Sequence, residues 1–180
     1  MSCMPVISRV GLQNKVTVGL AEMAVSNNQD VLLIASSLGS CLGLAAYDPQ
    51  VHVSGLLHAM LPDSAISPAK AALYPAMFVD TGLTALLGAM QRMGAAAERS
   101  LLFVAGGAQV LDSSGSFNLG TRNHEALAQL LQQLGLRACA QEIGGLLNRS
   151  LFLNVAKGEV RVKVSGQDLD IILCKNWTII

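Results

Sequence analysis

The sequence predicts a layered α+β domain, a sandwich of mixed or antiparallel sheet covered by two main helices. Three observations predict it. Short aliphatic runs bounded by Gly, Asn, Asp and Pro read as roughly nine strands. Only two segments carry apolar residues at spacings of three and four, the mark of a one-faced helix. A helix with one apolar face needs a sheet to cover it, and both helices qualify. This pattern is not that of a doubly wound parallel sheet.

Residues 16–25 and 31–36 read as strands, with Asn27 and Asn28 as the turn between them. Residues 41–47 and 52–58 read as a hairpin around Asp48-Pro49-Gln50. Pro62, Pro68 and Pro75 mark residues 61–75 as a surface loop. The first helix begins at Asp80, places Leu83, Leu86, Leu87 and Met90 on one face, and stops at Gly94. A buried strand at 101–105 leads into Gly106-Gly107 and a polar loop at 112–118. The second helix starts near Asn123 as its N-cap, with Leu127, Leu130, Leu131 and Leu134 on one face and Gly135 at its end. A strand at 138–143 then runs into Gly144-Gly145, so helix, strand and Gly-Gly occur twice in the same order. The two Gly-Gly pairs relieve backbone crowding and are candidates to line a groove. The chain ends in a hairpin, 151–155 and 159–164 around Lys157-Gly158, and a further strand at 169–173. Trp177, Ile179 and Ile180 form an apolar tail that either docks as a last strand or mediates association.

The 180 residues suit one domain spanning 1–180. Lys and Arg number 12, as do Asp and Glu, and charged residues make up 13%. That share is about half the usual one of roughly 25%. Mean hydropathy is +0.48. These values exclude a disordered chain and leave no basic excess for nucleic acid. The longest charge-free run, Val31 to Tyr47, has 17 residues and contains Ser36, Ser37, Gly39, Ser40 and Gly43. It is short and polar for a membrane span and reads as two buried strands meeting at a Gly-Ser turn. The opening MSCMPVISRV has no long apolar segment, so the expectation is a cytoplasmic protein. The four cysteines, Cys3, Cys41, Cys139 and Cys174, form no CxxC pair and fit no zinc spacing.

One cysteine stands in a chemically suggestive place. In the 41–58 hairpin, Tyr47 faces His52, Leu44 faces Gly55, Leu42 faces Leu57 and Cys41 faces His58. Leu42, Leu44, Ala46, Val53 and Leu57 share an apolar face, and Cys41, Gly43, Ala45, Ser54, Leu56 and His58 share the other. Opposed residues hold their Cβ atoms about 4.5–5.5 Å apart, within which an imidazole can take a thiol proton. Gly39 and Ser40 form a turn just before the thiol, able to aim backbone N–H groups at one point as an oxyanion hole requires. The plainer reading is a small buried thiol and a structural histidine, and a one-residue slip in register would part them.

Several ordered motifs resemble the chemoreceptor glutamine deamidase family, CheD. They are Val18-Gly19-Leu20-Ala21-Glu22-Met23, Leu38-Gly39-Ser40-Cys41, His58-Ala59-Met60-Leu61-Pro62 and Ala105-Gly106-Gly107-Ala108. Asn118-Leu119-Gly120-Thr121-Arg122-Asn123 and Glu142-Ile143-Gly144-Gly145 complete the set. The matches span about residues 16–165 in order. The resemblance implies hydrolysis of particular glutamine side chains in methyl-accepting chemotaxis receptors to glutamate, with Cys41 as nucleophile and His58 as general base. It implies no metal or organic cofactor, and a regulatory partner, the CheC phosphatase. It also implies a layered fold similar to that of the cytotoxic necrotizing factor deamidases. Two departures stand out. The family threonine six residues before the nucleophile is Ala35 here, with Ser36 and Ser37 the nearest hydroxyls. Only Ser37 shares the strand parity of Ala35, so either could orient the imidazole only through a backbone bend. The segment Met77-Phe78-Val79-Asp80 lacks the basic residue often found there. Ala35 motivates a rival reading, a non-catalytic adaptor of the same fold that binds receptor or phosphatase. A second rival, a thiol hydrolase of small molecules, calls for a deep closed pocket.

Overall fold

A computed structural model describes residues 14–109, 118–168 and 170–174. Ten strands and three α-helices follow in the order β1 Asn14–Thr17, β2 Glu22–Ser26, β3 Val31–Leu38, β4 Leu42–Asp48, β5 Val53–Ala59, α1 Pro68–Leu73, α2 Val79–Arg92, β6 Leu101–Gly106, α3 Leu119–Gln133, β7 Ala138–Ile143, β8 Arg149–Asn154, β9 Glu159–Val164 and β10 Ile171–Cys174. The strands form two five-stranded sheets, one ordered β1-β3-β8-β9-β10 and the other β2-β5-β4-β6-β7. Each sheet is mixed, since β1 pairs β3 and β6 pairs β7 in parallel while the rest are antiparallel.

Two cores define three layers. Leu33, Ala35, Leu151, Val160 and Val162 of the first sheet pack against Ala45, Leu56, Phe103 and Ala105 of the second. The opposite face of the second sheet, with Leu42, Leu44, Leu57 and Val104, is covered by Leu83, Leu86 and Met90 of α2 and Leu127 and Leu131 of α3. Strands β4 and β5 are therefore buried along their whole length, which is why they read as continuous apolar runs.

The structure corrects the sequence reading in several places. The strand expected at 16–25 is two strands in different sheets, broken at Val18 to Ala21, where Ala21 adopts φ +61°. The charge-free run likewise divides between sheets, β3 in one and β4 in the other, so residues 39–41 form a crossover rather than a turn within one sheet. The 61–75 loop holds the short α1. The hairpin register is displaced by two residues, with Gly43 opposite His58 and Leu42 opposite Ala59. The cause is Asp48. Its buried carboxylate takes bonds from Arg99, Ala96 N and Gln50 N, which keep it in β4 and move the loop to residues 49–52. A shift of two preserves faces. The helix expected to start at Asn123 starts at Leu119, four residues earlier, with Asn118 in a left-handed conformation before it. Cys3, most of the 112–118 loop and the tail with Trp177, Ile179 and Ile180 lie outside the described residues.

Candidate active site

Two crossovers between the sheets, residues 18–21 and 39–41, meet the β5 end that carries His58. Ala21 N–H donates to His58 O at 2.9 Å, and Glu22 lies opposite His58 in the β2–β5 register. The His58 ring is buried, and its Nδ1 lies 3.5 Å from the Val18 carbonyl. A carbonyl only accepts, so the contact assigns the proton to Nδ1 and leaves Nε2 with its lone pair. Nε2 is buried and has no hydrogen-bond partner among the described residues.

Cys41 directly precedes β4, two residues before Gly43, the residue facing His58. It lies in the 39–41 crossover, one residue outside the β4–β5 ladder that carries His58. No hydrogen bond joins the thiol to the imidazole in this structure, and such contacts are often loose before substrate binds. Burial pushes the Cys41 thiol up, and its own backbone N–H pulls it back in part. Burial pushes His58 down, opposed by the Val18 carbonyl and the charge of Glu22. The resting pair is thus a neutral thiol and a neutral imidazole at neutral pH.

The crossover carrying Cys41 is held by its carbonyls. Gly39 O accepts from Ala108 N at 2.8 Å and Cys41 O from Gly107 N at 2.9 Å. Ser40 O accepts from Asn123 Nδ2 at 2.9 Å. In a planar trans peptide the carbonyl and the following N–H point in opposite directions. Tying these carbonyls down turns the Ser40 and Cys41 N–H groups away from Ala108 and Asn123. Gly106, at φ +108°, has no room for a side chain, because a Cβ would collide with Cys41 O. Gly144 N–H donates to Gly106 O at 2.9 Å, so the second Gly-Gly pair buttresses the first.

The remaining sequence candidates fall as follows. Ala35 is fully buried between the sheets. Ser36 and Ser37 sit at an irregularity in the β3–β8 pairing, where Ser37 adopts φ +59°, and both are exposed. The backbone does bend there, and it carries the two hydroxyls outward. Asn123 is not a cap. It lies inside α3, is completely buried, and donates from Nδ2 to Ser40 O and to Met60 O at 3.0 Å. Sequence reasoning missed Asn123 and the Val18 carbonyl as functional parts. A polar residue on the same stripe as Leu127 and Leu131 was the available signal for the first, and a backbone atom leaves none for the second.

A family model described as CheD chemotactic sensory transduction matches residues 60–164. A probable chemoreceptor glutamine deamidase CheD 1 of Syntrophus aciditrophicus is 38% identical over 154 residues, 86% of this chain and 96% of that protein. The chemoreceptor glutamine deamidase CheD of Thermotoga maritima is 35% identical over 152 residues, 84% of this chain and 93% of its own. A probable chemoreceptor glutamine deamidase CheD of Solibacter usitatus is 34% identical over 158 residues, 88% of this chain and 94% of that protein. Among solved structures, the Bacillus licheniformis hypothetical protein YfiH aligns with TM-score 0.39 and 12% identity over 69% of this chain and 50% of its own. The chain belongs to the CheD family of chemotactic sensory transduction proteins.

Proposed function

We propose that this chain is a protein-glutamine deamidase that converts glutamines of chemotaxis receptors to glutamate, as the names of its relatives say of them. The observation that carries the mechanism is the state of His58. The Val18 carbonyl holds the Nδ1 proton, and the free, desolvated Nε2 is the base. Nε2 takes the Cys41 proton as the thiolate attacks the side-chain amide carbon. The carbonyl π electrons move to oxygen, and the Ser40 and Cys41 N–H groups receive the oxyanion. The imidazolium gives its proton to departing ammonia, leaving a thioester. The neutral imidazole then takes a proton from water, whose hydroxide displaces the thiolate and releases glutamate. The thiolate recovers the proton from the ring.

The same reading covers the finer points. On it the chain is one domain spanning 1–180 that works in the cytoplasm, with a layered fold of the kind the cytotoxic necrotizing factor deamidases have. Leu20, on the loop over His58, and Leu146, beside Gly144-Gly145, are exposed and offer apolar contact to a receptor helix. A CheC-type phosphatase would meet this same face. No helix among the described residues is long and apolar enough to cross a membrane. The test is incubation with a receptor cytoplasmic fragment. Conversion raises the mass by about 1 Da per site, since an amide becomes an acid. Binding of the fragment with no mass change would instead favour the adaptor that Ala35 motivates.

A further inference from the structure

Asn123 lies on a helix stripe that is otherwise apolar. It precedes Leu127 and Leu131 by four and eight residues, and both of these pack into the core beneath the second sheet. An apolar side chain would suit that core, yet the position holds an amide with no exposed surface. Its Oδ1 is buried with no hydrogen-bond partner among the described residues, which makes the amide costly at that position. Its Nδ2 spends both hydrogens on backbone carbonyls just outside β4 and β5, in the two segments that carry the proposed catalytic pair. One is Ser40 O at 2.9 Å, on the peptide whose N–H belongs to Cys41. The other is Met60 O at 3.0 Å, two residues beyond His58.

We propose that Asn123 is a positioning residue that fixes the Ser40–Cys41 peptide and the end of β5 relative to each other, holding the Cys41 N–H toward the reacting centre. The proposal rests on the deamidase reading for its catalytic consequence, although the clamp can also be read without it. The two carbonyls belong to neighbouring strand ends, and one planar amide reaches both. Loss of the clamp lets the Ser40–Cys41 peptide rotate, which moves an oxyanion donor and the thiol together. A displaced donor costs up to about 10²-fold or more in rate, so a drop of at least about tenfold in kcat follows, with KM little changed. The Cys41 N–H also stabilises its own thiolate, so thiol ionisation should move upward when that N–H swings away.

The experiment compares wild type, Asn123→Ala, Asn123→Leu and Leu127→Ala. Leu keeps nearly the same shape without the two donated hydrogens and buries no charge, so it remains readable should the Ala variant not fold. Leu127→Ala removes buried surface from the same helix but leaves both Asn123 hydrogen bonds in place. Two quantities are measured, deamidation kinetics on a receptor fragment and the pH profile of Cys41 alkylation by iodoacetamide, followed on its own peptide by mass spectrometry. In the Asn123 variants kcat should fall at least about tenfold and the alkylation profile should move to higher pH, while Leu127→Ala shows only a lower melting temperature. Asn123 variants that lose thermal stability while keeping the wild-type profile and kcat overturn the proposal. A shifted profile in a protein that deamidates nothing supports the clamp and removes the deamidase reading. Deamidation with an unmoved profile does the reverse.

Discussion

Threonine at position 35 would restore the hydroxyl that the family pattern places there, but in this chain the Nδ1 proton of His58 already meets the Val18 carbonyl. Ala35 is fully buried between the sheets, where two further heavy atoms would have to enter a packed core. Ala35→Thr is therefore expected to leave the deamidation rate unraised and to cost about 1–3 kcal/mol through overpacking. Single-turnover rates and denaturant midpoints check both halves, and a rate gain of about tenfold would show that the hydroxyl, not the carbonyl, is the missing orienting group. Ser36→Ala and Ser37→Ala should match wild type, because both side chains are exposed. His58 makes a separate statement about pH. Its ionisation is depressed by burial, so the unfolded chain takes the proton first as pH falls. Stability is present above the unfolded value, about 6.5, and is lost as pH falls through the folded value, by up to about 1.4 kcal/mol per unit. Urea midpoints at pH 7.5 and 5.5 should differ less in His58→Gln than in wild type, and equal differences would contradict the assignment. For activity, the acid limb of kcat/KM should lie below the ordinary imidazole value.

The crossovers explain what the sequence revealed and what it hid. The two apolar runs on either side of Asp48-Pro49-Gln50 made the β4–β5 hairpin readable from the sequence. The register was readable only to within two residues, because it is set by the buried Asp48 carboxylate and its distant partner Arg99. Helix α3 was recognised from its leucines, but its first turn was not, since Asn123 looks like a cap while the residue at the N-cap is Asn118, in a left-handed conformation and without a side-chain cap bond. That the long apolar run joins two sheets follows from long-range pairing of β3 with β8, which no local pattern contains. Gly106 shows how tightly one crossover is held. Gly106→Ala adds a left-handed strain and a collision with Cys41 O, each about 1–3 kcal/mol. The variant should melt well below wild type and lose activity even where folded, which circular dichroism and the deamidation assay read together. An unchanged melting temperature would mean the Gly106 and Cys41 segments are not in contact.

The three-layer arrangement puts the candidate site at one end of the sandwich. The core strands β4 and β5 are buried on both faces, so the thiol crossover and His58 are anchored in the least deformable part of the protein. The loops at 18–21 and 144–147 reach the surface there with exposed Leu20 and Leu146. A balanced charge of 12 against 12 gives little long-range steering, so receptor recognition should depend weakly on salt. Mass spectrometry of a receptor cytoplasmic fragment decides whether Cys41 and His58 form a thiol–imidazole pair that hydrolyses receptor glutamines. The fragment is incubated with wild type and with Cys41→Ser of equal melting temperature. Wild type should add about 1 Da at defined glutamines and the variant none, since serine's hydroxyl ionises far less readily than a thiol. Unmodified glutamines with folded wild type, or conversion that persists in Cys41→Ser, would contradict it.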